Sequence, residues 1–165
     1  MCKRQEIDWR ESDLAACIAD DFDGDGLAVV EAYFANVAKV AEKKPTILGH
    51  FDLIKKINGD GKFFDEQDPR YKAAADSALM AAARNRCVLE VNTSGVFRGF
   101  RKDFFPSDTI LKDWLALSGN VVITADAHDA KALTFGFEEV AAKLKELGYT
   151  KVQVLGKDGF QTCAL

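Results

Sequence analysis

The sequence predicts an α/β fold, and three observations carry the prediction. Short apolar runs end in polar groups at residues 50, 92 and 124, helical apolar spacing fills the stretches between them, and turn residues separate the two patterns. Alternation of this kind predicts parallel strands joined by right-handed crossovers. At 165 residues the chain fits a single domain, 1–165, large enough to bury roughly 70% of the surface that its unfolded form exposes.

The elements follow in order. From Leu27, the apolar positions Val30, Phe34, Val37 and Ala41 recur at helical spacing, with Asp20, Asp23 and Asp25 just ahead, where negative charge favours a helix start. This helix is expected to run to about Glu42. Lys43-Lys44-Pro45 then opens a strand, Thr46 to Gly49, ending at His50. An Ala-rich helix from about Arg70 to Asn85 leads into a second strand, Cys87 to Asn92, followed by a polar loop, Thr93 to Phe105. Pro106-Ser107-Asp108 reads as a helix start, Ile110, Leu111, Trp114, Leu115 and Leu117 as the buried face, and Ser118-Gly119 as the stop. Strand three is Val121 to Thr124, and a last helix with Phe137, Val140, Leu144 and Leu147 inward leads to Lys151–Leu155. Gly156-Lys157-Asp158-Gly159 is a turn into a final strand, Phe160 to Leu165. Four or five strands cannot close an eight-stranded cylinder, so the sheet is either a small open one or an incomplete barrel.

Composition narrows the function. Lys plus Arg number 22 against 26 Asp plus Glu, a net charge of -4 without a basic stripe, which argues against a nucleic-acid surface. The four cysteines, Cys2, Cys17, Cys87 and Cys163, form no C-x-x-C pair, which speaks against a structural zinc or thioredoxin-like site and makes a reduced, cytoplasmic setting the expectation. No apolar segment approaches the roughly 18 residues that span a bilayer.

Chemistry concentrates at the strand ends. Asp126 and His128 stand two residues apart after Val121-Val122-Ile123, so in extended chain both face one side. The only other histidine, His50, also ends a strand. Neutral imidazole and carboxylate are expected ligands of a catalytic zinc, manganese or iron with open positions, which would acidify water and polarise a phosphoryl oxygen. The competing reading makes the histidines packing residues and Asp126 a turn cap. Arg98, Arg101 and Lys102 follow strand two, where a planar guanidinium would match phosphate oxygens, or where a solvated basic loop would lie. Asn92, Thr93 and Ser94 before Gly95 orient ligands or form a turn. Asp21-Phe22-Asp23-Gly24-Asp25-Gly26 begins like a calcium loop, but its twelfth position is Ala32, with Glu31 one residue early, so helix capping is the expected role. Asn58-Gly59-Asp60-Gly61 is turn chemistry.

Taken in order, Ile47-Leu48-Gly49-His50-Phe51-Asp52-Leu53-Ile54-Lys55-Lys56, Leu89-Glu90-Val91-Asn92-Thr93-Ser94-Gly95, Phe105-Pro106-Ser107 and Asp126-Ala127-His128 resemble the C-terminal part of a histidinol-phosphate phosphatase of the PHP (polymerase and histidinol phosphatase) family. The resemblance runs from about Ile7 onward. It implies an incomplete (β/α) barrel of PHP type, and hydrolysis of a small phosphomonoester in histidine biosynthesis by water activated on divalent metals. It further implies that His50 and His128 share one metal, that Asp126 binds another, and that Arg98 or Arg101 grips the phosphate. Asp52, Glu90 and Asn92 would support these ligands from behind. The family's N-terminal H-x-H motif and its following ligands have no counterpart in a chain with two histidines. That departure implies either a homodimer or another segment completing the site, or a remnant that binds or assembles without catalysis.

Overall fold

The computed structural model describes residues 10–165. Helix α1 (Glu11–Asp21) precedes α2 (Gly26–Ala41), whose start is fixed by Asp25: its carboxylate accepts from the amides of Leu27 (2.9 Å) and Ala28 (3.2 Å). Helix capping is therefore what the aspartate-rich segment does at Asp25. Strand β1 is only Ile47–Leu48. A long connection then reaches α3 (Pro69–Arg84), which begins with proline in its first turn and Asp68 accepting from the Arg70 amide at 2.7 Å. After α3 come β2 (Val88–Asn92), the short α4 (Ser94–Phe97), α5 (Asp108–Ala116) and β3 (Asn120–Thr124). Helix α6 (Phe137–Glu146) and the strands β4 (Lys151–Gly156) and β5 (Gly159–Ala164) complete the chain.

The five strands form one sheet in sequence order, parallel from β1 to β4 and antiparallel between β4 and β5. Register sorts the side chains. Leu48 pairs with Leu89, Leu89 with Val121 and Val91 with Ile123, and Leu48, Leu89, Val91 and Val121 belong to the main core with Phe34, Leu79, Leu111, Trp114 and Leu144 from the helices. The opposite face carries Glu90 and Asn92, paired with Val122 and Thr124. Polar groups on that face bond across the strands, Thr124 Oγ1 donating to Glu90 at 2.7 Å and Gln153 Nε2 to Thr162 at 3.1 Å. Between α2, α3 and the β1 loop the core is aromatic, with the Phe34 ring 5.5 Å from those of both Phe51 and Tyr71.

Several expectations need correction. Helix α1 lies where none was expected, its buried face made by Leu14, Cys17 and Ile18. The segment after β2 is not all loop, because residues 94–97 form a helical turn. Leu117 is 42% exposed and lies off the buried face of α5, one residue past its last turn. Ser118, not glycine, takes the left-handed turn after α5 (φ 58°). Gly119 is needed for a different reason, since a Cβ there would stand 2.0 Å from the Trp114 ring. Cys17 is disulfide-bonded, against the expectation of reduced cysteines, while Cys87 and Cys163 are free. No helix among the described residues is long and apolar enough to cross a membrane.

Candidate functional site

Because β1, β2 and β3 are parallel, their C-terminal ends share one edge of the sheet, the position where α/β sheets present their sites. A pocket of about 270 Å³ opens there, lined by His50 and Leu53 after β1, Ser94, Gly95, Arg98, Phe100 and Phe105 after β2, and Asp126 and His128 after β3. Lys56 also lines it, its ammonium 4.9 Å from the centre of the Phe100 ring. Sequence pattern pointed to His50, Arg98, Asp126 and His128. It missed Lys56 and the aromatic wall, for which no motif stands out; Phe100 is 45% exposed and Phe105 only 2%.

Two of these residues are held in backbone conformations that side chains other than glycine rarely adopt: His50 has φ 53° and Asp126 φ 44°. Their surroundings fix them. The His50 amide donates to Glu90 Oε2 at 2.9 Å, its Nδ1 lies 3.5 Å from the same oxygen, and the Tyr33 hydroxyl donates to its carbonyl. Leu53 in turn donates its amide to the Tyr33 oxygen at 3.2 Å. Glu90 is thus a support for His50, tied on its other oxygen to Thr124. Gly49 allows this approach, since a Cβ there would meet Glu90 Oε2 at 3.0 Å.

On the β3 side, Arg98 Nη2 lies 2.6 Å from His128 Nδ1, 3.4 Å from the Asp126 carbonyl and 4.0 Å from Asp126 Oδ2. His128 Nδ1 is also 2.8 Å from the Asp126 carbonyl. One ring nitrogen cannot accept from a guanidinium and donate to a carbonyl at once. With Nδ1 accepting from Arg98, the neutral ring carries its proton on Nε2 and presents a donor to the pocket; with Nδ1 donating to the carbonyl, Nε2 is a free lone pair.

The remaining expected residues lie apart from this cluster. Arg101 does not line the pocket. Its guanidinium meets Glu66 in two contacts, at 3.0 and 3.2 Å, and Asp103 at 3.0 Å, so its donors are spent on carboxylates, and of the two arginines only Arg98 lines the pocket. Asp52 is fully buried and faces Lys55 (3.0 Å) and the Ser107 amide (2.9 Å) rather than a ligand. Burial pushes its carboxyl above the ordinary value, against the pull of Lys55. Asn92 accepts from the Ser94 amide at 2.8 Å and so shapes the turn that begins α4, while its Nδ2 has no partner among the described residues.

His50, Asp126 and His128 share the pocket, yet among the described residues no group of three or more His, Cys, Asp or Glu side chains is placed to hold a metal ion. The described residues of this pocket alone thus offer fewer placed donors than a catalytic ion usually takes. What the arrangement does offer is a mixed wall: a guanidinium and an ammonium for an anion, two imidazoles that accept or donate, and a carboxylate that repels a second negative charge unless a cation intervenes. Neither a family model nor a curated protein matches this chain.

Proposed function

We propose that the chain carries the phosphate-gripping part of a phosphomonoester hydrolase of histidinol-phosphatase type, its sheet forming part of a PHP-like (β/α) barrel. The observation that supports this reading best is the meeting of Arg98 with His50, Asp126 and His128 in one pocket at the strand ends. Arg98 would hold two oxygens of a small phosphomonoester, with Lys56 adding charge and Ser94 a hydroxyl. His50, Asp126 and His128 would give a divalent zinc, manganese or iron part of its ligands. The rest would come from a second copy of the chain or another polypeptide, so a homodimer belongs to this reading. When bound, the ion would supply an activated water; the residues described here bind and orient the ester.

A second reading has its own support. If Arg98 donates to His128 Nδ1 at the observed 2.6 Å, the ring presents N–H rather than a lone pair, which suits a non-catalytic module that binds anions without metal. One set of assays separates the two. Inorganic phosphate binding, measured by calorimetry without metal, should weaken tenfold or more in Arg98→Ala, about 1.4 kcal/mol. Phosphomonoester hydrolysis with added manganese or zinc should be lost in Asp126→Ala and His128→Ala. Phosphate binding without hydrolysis selects the second reading, and no binding at all overturns both.

A further inference from the structure

Directly beside the pocket lies a second set of charges, paired with one another. Lys55 is wholly buried and donates to Asp103 Oδ2 (2.8 Å) and to the Phe104 carbonyl (3.3 Å) while facing Asp52 at 3.0 Å. Arg101 joins the same carboxylate from the other side and reaches back to the loop after β1, donating to the carbonyls of Lys55 (3.1 Å) and Gly59 (3.5 Å) and to Glu66. Glu66 is itself fastened by Asn58 Nδ2 at 3.1 Å. The two loops held together by these bonds are the ones that carry the pocket's walls: His50, Leu53 and Lys56 on one, Arg98, Phe100 and Phe105 on the other.

We infer that Arg101 is a positioning residue for anion binding: it clamps the loop after β2 onto the loop after β1 and so sets where Arg98 presents its guanidinium. The clamp acts over a short stretch of chain. The amides of Phe100 and Arg101 both donate to the Gly95 carbonyl, at 2.9 and 3.2 Å, so the Arg101 backbone is tied to the turn that bears Arg98. Below that turn, the Phe105 ring stands between Gly95, where a Cβ would meet it at 2.3 Å, and the Lys55 ammonium, 5.2 Å from its centre. A planar fork making two contacts to Glu66 and one to Asp103 is a geometry that lysine cannot reproduce. This inference rests on the reading of the pocket as a phosphate site, and its test keeps the two apart.

The full chain is titrated with inorganic phosphate, and amide hydrogen exchange is followed in the same samples. Arg101→Lys should weaken phosphate affinity about tenfold and speed exchange at Phe100 and Arg101 by a similar factor, leaving exchange in α3 unchanged. Glu66→Gln, which keeps the arginine but removes one charge of its partner, should move both readouts in the same direction by less, and serves if Arg101→Lys does not fold. Arg70→Lys is the control, because Arg70 makes the same two-contact pairing with Glu31 (2.8 and 2.9 Å) away from the pocket and should leave phosphate affinity unchanged. Unsubstituted chain that binds phosphate, with affinity and exchange unaltered in Arg101→Lys, overturns the clamp alone. Unsubstituted chain that does not bind phosphate overturns the pocket's reading and Arg101's role in it together.

Discussion

Lys55 and Lys56 are neighbours of the same type, and the fold uses them in opposite ways: the first is sealed among Asp52, Asp103 and a backbone carbonyl, the second lines the pocket. Nothing in a Lys-Lys pair announces this, because burial of a charge is decided by partners distant in sequence, here Asp103. By contrast, His50, Arg98, Asp126 and His128 were legible as pocket candidates, since residues that follow a strand lie near the sheet's edge, although only the course of the loop separates Arg98, in the pocket, from Arg101, outside it. Removing Lys55 should be costly: Lys55→Met leaves Asp52 buried without its cation, a change worth about 3–5 kcal/mol in urea unfolding. A loss under 1 kcal/mol would show that water reaches the carboxylate. The pH dependence has a definite sign. Burial pulls the Lys55 ammonium down, but Asp52 and Asp103 outweigh it and hold it above its ordinary 10.5, so its contribution is complete below that pH and is lost as pH rises through the folded value. Burial also raises Asp103, yet Lys55 and Arg101 outweigh it and hold its carboxyl below 3.8, so that contribution is present above this pH and disappears as pH falls through the folded value. Stability of the unsubstituted chain should therefore decline on the alkaline side more steeply than that of Lys55→Met. Parallel alkaline slopes would contradict the assignment.

At the scale of elements, the long helices and the strands were readable because their apolar periods are strong: Val30, Phe34 and Ala41 on α2, Val140 and Leu144 on α6, and the Val-rich runs of β2 and β3. Helix α1 has the same spacing in Leu14, Cys17 and Ile18 but is embedded among acidic residues, which hid it. Helix α4 is a single turn, shorter than any periodic signal, and it exists because Asn92 accepts from the Ser94 amide and the Phe105 ring seals it from below. Gly95 is the residue that permits this seal. Gly95→Ala should drive a methyl into a ring that is 2% exposed, costing about 1–3 kcal/mol in urea unfolding and weakening phosphate binding alongside. Stability unchanged by that substitution would mean that Phe105 can step aside, and the wall of the pocket would then be softer than described.

For the whole molecule, alternation of strand and helix predicted a parallel sheet, and the hairpin turn at residues 156–159 predicted the reversal of its last strand; the structure has both. Barrel closure was not legible, because the pattern of a strand reports which of its faces are apolar and not whether its edge finds a neighbour. The sheet ends in a two-residue strand on one side and in β5 on the other. The same limit applied to the site: residue types could be read from sequence, but their meeting depends on loop geometry, which brings His50, Arg98, Asp126 and His128 to one pocket. The central claim is that this pocket, and no other surface, holds phosphate. A nuclear magnetic resonance titration of the full chain with inorganic phosphate tests it most directly. The account predicts saturable shifts concentrated at His50, Ser94, Arg98, Asp126 and His128, and shifts scattered over the surface, or none at these residues, would contradict it.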